Sequence, residues 1–181
     1  MRIVGGLWRG RRLTPVGQGD AAAHLRPTAD RVRESIFNLL LNGGHADRLD
    51  GTRVLDVFAG TGALGLEALS RGAATATFIE QGRRAQAILR ANIALFDAPA
   101  CVLPRDARKP GPGTPHDLLF LDPPYGKGLG EAAVAALLSA GWIAPGALVV
   151  WEEATPPALG PLTPVDQRRY GDTLVTLATA P

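Results

Sequence analysis

The sequence predicts an α/β fold: a mostly parallel β-sheet covered by helices on both faces, with a small hairpin-and-helix extension at its N-terminus. Three observations carry that expectation. Beyond Thr52, short apolar runs alternate with longer helical patterns, the mark of a parallel sheet wrapped by helices. The first such run ends in a glycine-rich turn where strand hands over to helix. Two closely spaced strand candidates at the C-terminus fit an antiparallel hairpin completing the sheet. The 181 residues, 46% of them hydrophobic, suffice for one core.

The opening R-I-V-G-G-L-W-R-G-R-R-L reads as a glycine-punctuated hairpin, followed by a loop around Gly17 to Ala23. Residues 1–24 are assigned to this extension and 25–181 to the main domain. Val32, Ile36, Leu39 and Leu40 recur at helical spacing, with Thr28 placed to cap the helix and Gly43-Gly44 to end it. R-V-L-D-V-F is then a strand, A-L-G-L-E-A-L-S a helix and A-T-F-I-E a strand. A longer helix runs from Arg83 to Phe96, and C-V-L-P-R is a strand whose Pro104 marks its edge or end. L-L-F-L is a strand, L-G-E-A-A-V-A-A-L-L a helix and A-L-V-V-W-E a strand. D-Q-R-R-Y and T-L-V-T-L-A supply the closing hairpin, while Lys109 to Pro115 is a loop within the domain.

The formal charge is +2, unevenly spread. Residues 1–33 hold seven arginines and two acids, so they carry +5 and the remainder −3. A basic head on a mildly acidic body points to a phosphate-rich partner meeting one end, against a merely solubilising surface. No apolar run approaches a membrane span, and M-R-I-V-G-G lacks the apolar centre of a secretory signal. The single cysteine, Cys101, excludes an intrachain disulfide framework and reads as core, not nucleophile. A soluble cytoplasmic protein is expected. His24, His45 and His116 form no metal-ligand pattern, so no metal is expected.

Four strand ends carry the chemistry. Gly60-x-Gly62-x-x-Gly65 follows the first strand, where glycines permit a tight turn and close approach of a ligand to the backbone. The next strand ends at Glu80, eighteen residues past Gly62, a carboxylate placed to accept from ribose hydroxyls. Asp56 lies inside the first strand, where an ionised side chain is expensive unless partnered. It either organises the glycine loop through backbone hydrogen bonds or approaches a cationic part of the cofactor. Asp106 follows the third strand as an acceptor for an adenine amino group or as a helix cap. D-P-P-Y, Asp122 to Tyr125, follows the fourth. A dinucleotide dehydrogenase and a methyltransferase both fit the glycine turn, but the tetrapeptide and the lack of a clear hydride-transfer acid favour the second.

V-L-D-V-F-A-G-T-G-A-L-G, F-I-E, Asp106 and D-P-P-Y together resemble the Rossmann-like S-adenosylmethionine-dependent methyltransferases that act on exocyclic amino nitrogens. M-R-I-V-G-G-L-W-R-G-R-R-L, L-R-P-T-A-D-R-V-R-E-S-I-F-N and G-A-L-G-L-E-A-L-S-R-G narrow the resemblance to bacterial 16S rRNA guanine-N2 methyltransferases. It covers nearly the whole chain and is weakest after Glu152, where little beyond the closing hairpin aligns. It implies a seven-stranded sheet with one antiparallel strand, S-adenosylmethionine as cofactor, no metal, and guanine 966 of 16S rRNA in a partly assembled small subunit as substrate. Asp56, Phe58, Ala59, Gly60, Thr61 and Gly62 would line the cofactor, Gly60 to Gly62 beneath its methionine moiety. Glu80 would bind ribose, and Asp106 with Ala107 would flank adenine.

The resemblance likewise implies that Asp122, Pro123 and Tyr125 receive the target base, with Pro124 stiffening the turn. The amino nitrogen is a poor nucleophile because its lone pair spreads into the ring. Asp122 and the Pro123 carbonyl would accept from its N–H bonds and stabilise developing positive charge, while Tyr125 stacks the extruded base. Arg2, Arg9, Arg11 and Arg12, the Arg26-Pro27-Thr28 segment, Arg31 and Arg33 would face the RNA, with Asn38 at the pocket edge. Trp8 either stacks on a base or packs the hairpin. A monomer is expected. The competing readings are an N6-adenine DNA methyltransferase, which needs the same tetrapeptide geometry, and a non-catalytic RNA-binding assembly factor.

Overall fold

A computed structural model describes residues 1–15 and 30–181. The expected loop Gly17 to Ala23, His24, and Arg26, Pro27 and Thr28 lie outside the described residues. One seven-stranded sheet organises the rest, in the order β3-β2-β1-β4-β5-β7-β6. Its strands are β1 (Arg53–Val57), β2 (Thr75–Ile79), β3 (Ala100–Leu103), β4 (His116–Leu121), β5 (Ile143–Glu153), β6 (Thr163–Tyr170) and β7 (Thr173–Thr179). The first five run parallel, and β7 lies antiparallel between β5 and β6. This is the Rossmann-like arrangement that the resemblance implied. β5 starts four residues earlier than the apolar run suggests, because Ile143 pairs with His116 before an irregularity shifts the register. Pro104 falls just past β3, an edge strand, where its missing N–H breaks no ladder bond.

Side-chain alternation along the strands divides the core in two. Val54, Phe78, Phe120, Val150 and Leu177 point to one face, which α1 (Asp30–Asn42), α2 (Ala63–Ser70) and α3 (Arg83–Phe96) cover with Phe37, Leu66 and Leu89. Leu55, Val57, Leu121 and Trp151 point to the other, under Ala133, Val134 and Leu137 of α4 (Leu129–Ser139). Fully burying a side chain of this size contributes about 1.5–3 kcal/mol.

The basic head is built into the first of these cores. Ile3, Trp8 and Leu13 are buried there, and Trp8 stacks on Phe96 with centroids 4.8 Å apart. The expected hairpin reduces to one bridge, Arg2 to Arg12, supported by Ile3 N donating to the Arg11 carbonyl at 2.9 Å. Gly10 N donates to the Ile3 carbonyl at 2.8 Å and Leu13 N to the Met1 carbonyl at 3.1 Å, while other donors of the head reach α2. Val4 N and Gly5 N donate to the Glu67 carboxylate at 2.8 and 2.7 Å, Leu7 N to the Ser70 carbonyl at 2.6 Å, and Trp8 N to Ser70 Oγ at 2.9 Å. The helix end thus receives donors for carbonyls that it cannot satisfy itself.

One expectation for an exposed position is corrected. Arg33 is fully buried, not facing phosphate: it pairs with Glu67 at 3.3 Å and Asp30 at 2.9 Å and donates to the Arg2 carbonyl. A guanidinium can hold several acceptors at once, which suits it to join three segments inside the fold. Trp8 takes the packing alternative, since its ring is closed in by Phe96. Conversely, Cys101 is exposed, because β3 is the sheet's edge strand and this residue faces outward from it.

Candidate cofactor and base site

The carboxyl ends of β1, β2, β3 and β4 open along one rim, on either side of the point where strand order reverses. At the end of β1 the chain turns sharply. Phe58 has φ 62°, Gly60 55° and Gly62 79°, and the first of these is strained for a residue with a side chain. Gly62 and Gly65 serve packing. A Cβ on Gly62 would lie 2.3 Å from a Leu89 methyl, and one on Gly65 2.4 Å from the Phe78 ring. These two glycines let α2 settle onto the sheet. Gly60 has the connection across the crevice, its N–H donating to Glu80 Oε2 at 2.8 Å.

Asp56 is buried beneath that turn and accepts from Gly65 N at 2.9 Å, inside the first turn of α2. Burial pushes its pKa well up, and the charges of Asp122 and Glu80 push the same way. Of the roles open in the sequence, organising the loop and helix start through the backbone is the one with a bond to show. Glu80 holds both sides of its own turn, since Oε1 accepts Gly82 N at 2.6 Å. Each carboxylate oxygen has a second lone pair, so both can still accept a ribose hydroxyl. Asp106 is engaged with its neighbour. Arg108 reaches Oδ2 at 2.6 Å and its backbone N reaches Oδ1 at 2.9 Å, which holds the Asp106 carboxyl below its ordinary range. Ala107 is buried beside it.

At the end of β4, Asp122 is half-buried, Pro123 buried, and Pro124 and Tyr125 half-buried. The Tyr125 hydroxyl meets Thr173 Oγ1 at 3.4 Å, and burial pushes the phenol up to about 12, so it stays protonated at neutral pH. Glu153 Oε1 accepts Gly126 N and Ala154 N, each at 3.0 Å, pinning the residue after the tetrapeptide to β5. Glu152 is buried, and burial together with Asp122 and Asp56 raises its pKa well above the usual carboxylate range. Glu152, Glu153 and Thr173 were absent from the expected site. The signal for the first two was present: two acids close the apolar run A-L-V-V-W, a placement as costly as that of Asp56.

The crevice is therefore lined by carboxyl groups: Asp122 and Glu80 act on Asp56, and Asp122 and Asp56 act on Glu152. Arg2, Arg9, Arg11, Arg12, Arg31 and Asn38 are exposed. Arg11 is partly committed to the fold, lying 4.6 Å over the Phe96 ring and donating to the Leu95 carbonyl at 2.7 Å. Among the described residues no cluster of three His, Cys, Asp or Glu side chains could hold a metal, and no helix is long and apolar enough to cross a membrane.

A family model described as Conserved hypothetical protein 95 matches residues 1–179. The chain is 46% identical over 155 residues to the ribosomal RNA small subunit methyltransferase D of Escherichia coli strain K12, spanning 84% of this chain and 74% of that one. The Haemophilus influenzae protein of the same name is 40% identical over 159 residues, spanning 84% and 78%. The chain belongs to the ribosomal RNA small subunit methyltransferase D family. A solved structure of the E. coli protein yhhF, named as a methyltransferase, superposes with a TM-score of 0.84 at 38% identity, over 99% of this chain and 97% of that one. Likeness to the methyltransferase D family continues past Glu152, so the closing hairpin and Thr173 belong to the shared architecture.

Proposed function

We propose that this chain transfers a methyl group from S-adenosylmethionine to the exocyclic N2 of guanine 966 in 16S rRNA, acting as a cytoplasmic monomer on a partly assembled small subunit. The observation that carries the cofactor reading is the acidic rim. A dinucleotide would bring a pyrophosphate to a turn flanked by the Glu80 and Asp122 carboxylates, where like charge opposes it. A sulfonium is cationic and suits the same field. Glu80 retains acceptor capacity for a diol, and Gly60 N–H fixes its orientation. The donor set fits this cofactor, which when bound supplies an electrophilic methyl group and needs no metal.

The protein's task is then to present the amine. Asp122 and the Pro123 carbonyl accept from its two N–H bonds and orient the nitrogen lone pair for in-line attack. As the N–C bond forms, positive charge grows on nitrogen and strengthens both hydrogen bonds; one proton then leaves, with Asp122 its nearest acceptor. Tyr125, held by Thr173 and by the Glu153–Gly126 contact behind it, offers a fixed ring face for a base taken out of its stack. Pro123 and Pro124 restrict the backbone between these groups. Support for guanine over adenine comes from the family.

The test is to incubate the protein and methyl-labelled cofactor with naked rRNA, partly assembled subunits, mature subunits and DNA, then identify the labelled nucleoside. N2-methylguanosine at one position of the small-subunit RNA is expected, and N6-methyladenosine would refute the reading. Asp122→Ala should lower kcat by about 10²–10³-fold, the scale of removing one preorganised charge-stabilising group. Cofactor affinity should change little; an equal fall in both would deny Asp122 its part in the transfer step.

A further inference from the structure

Glu152 is a buried carboxyl group that the reaction as described does not use. It lies on β5, the strand beside β4, whose Leu121 pairs with Trp151 at the carboxyl end of their ladder. One residue further on, the alternation of side chains brings Glu152 beside Asp122, on the face that also carries Val150 and Phe120. Asp56 sits on that face of β1, on the far side of β4. Among the described residues, Glu152 Oε1 is buried and has no hydrogen-bond partner. A native fold rarely leaves such an atom without a task.

We propose that Glu152 is a positioning residue for methyl transfer, a carboxylic acid that retains its proton and donates it as a hydrogen bond to Asp122. The proposal rests on the reading of Asp122 as acceptor for the target amine. Two neighbouring carboxyl groups in a dry site do not both ionise readily, and burial decides which keeps the proton. Glu152 is the more enclosed of the two, and Asp122 opens to the crevice. The charged groups facing Glu152 are Asp122 from β4, Asp56 from β1 and Arg33 from α1; Val175, its partner on β7, brings no charge. The two acids favour the protonated form. Arg33 opposes it: its Nε and Nη2 serve Glu67, Asp30 and the Arg2 carbonyl, while its buried Nη1 has no hydrogen-bond partner among the described residues. A proton fixed on Glu152 holds the Asp122 side chain by one oxygen and leaves it to present an acceptor toward the base. Glu153, the next residue, steadies the same tetrapeptide through Gly126 N, so consecutive acids of β5 support both ends of it.

Infrared difference spectra and kinetics of the full chain test this. The wild-type minus Glu152→Gln spectrum at neutral pH should contain the carbonyl stretch of a protonated carboxylic acid, and that band should move in an Asp122→Ala background. Only carboxylate bands in the difference would overturn the proposal. Glu152→Gln keeps a donor and should hold kcat within about threefold, while Glu152→Met should lose about 10²-fold in kcat with the KM for RNA unchanged, the scale of a misplaced reacting group. Glu152→Gln as impaired as Glu152→Met would overturn it too, as would a fully active Glu152→Met. If Glu152→Met does not fold, the glutamine variant and the spectra still decide. If Asp122→Ala retains transfer while the band persists, the acceptor reading fails and takes the role of Glu152 with it. A missing band beside an inactive Asp122→Ala defeats this proposal alone.

Discussion

Glu67 shows how much one buried side chain can organise. Its carboxylate accepts from Val4 N, Gly5 N, Arg33 Nε and Arg71 Nε, so the head, α1 and α2 meet at two oxygen atoms. Breaking a buried ion pair from one side leaves an uncompensated charge. Arg33→Met should therefore lower unfolding free energy by about 3–5 kcal/mol in urea titrations. A phosphate-binding Arg33 would instead weaken RNA binding at constant stability. Asp56 makes a different prediction because its folded-state pKa is raised. Such a group favours the fold fully below its unfolded value of about 3.9, and that contribution is lost as pH rises through the folded value. Asp56→Asn keeps an acceptor for Gly65 N and cannot ionise. Its urea midpoint should gain on the wild type as pH rises above the unfolded value, whereas Asp56→Leu should cost about 1–3 kcal/mol throughout by stranding that N–H.

Elements were legible wherever a period or a stop signal acts locally. The helices Ala63–Ser70 and Arg83–Phe96 have the bounds expected of them, because their apolar spacing is flanked by glycine or aspartate. The order of the last strands was legible only as a hairpin, and its insertion beside β5 is a tertiary fact. Arg33 and Cys101 were misjudged, and Trp8 left open, for one reason. An arginine near a helix start, a tryptophan among arginines and a cysteine in an apolar run each look ordinary until another element covers them or leaves them bare. Gly60, Glu80 and D-P-P-Y were visible because those residue types at strand ends match the chemistry proposed for cofactor and base. Glu152 was visible as a costly acid but had no partner in sequence. The docking of the head on α2 was likewise hidden, and one residue tests it. Gly6 has φ 75°, and a Cβ there would lie 1.8 Å from the Ser70 carbonyl oxygen. Gly6→Ala should detach this turn, losing at least about 1–3 kcal/mol from backbone conformation alone. Faster amide exchange at Leu7 and Trp8 would report it, and unchanged exchange would show that the turn accommodates the methyl.

Across the whole molecule, charge separates by task. The rim that takes a cationic cofactor is acidic, and the exposed arginines of the head lie on the segment docked at the opposite, C-terminal end of α2. An RNA partner held by the head would meet the crevice with one base while keeping its phosphates away from the Glu80 and Asp122 carboxylates. Arg9 and Arg12 are the cleanest probes of that division. Both are exposed, whereas the Arg11 side chain also holds the fold by donating to the Leu95 carbonyl and lying over Phe96. A phosphate that no arginine neutralises keeps its condensed counterions. The double variant Arg9→Ala/Arg12→Ala should therefore reduce the slope of log affinity against log salt by about 1–2. Thermal unfolding should be unaltered, and kcat at saturating RNA should stay within about twofold, since neither residue reaches the reacting atoms. An unchanged salt slope would place the phosphates on another face of the molecule. A fall in kcat at saturation would instead show that the head orients the base as well as gripping its backbone.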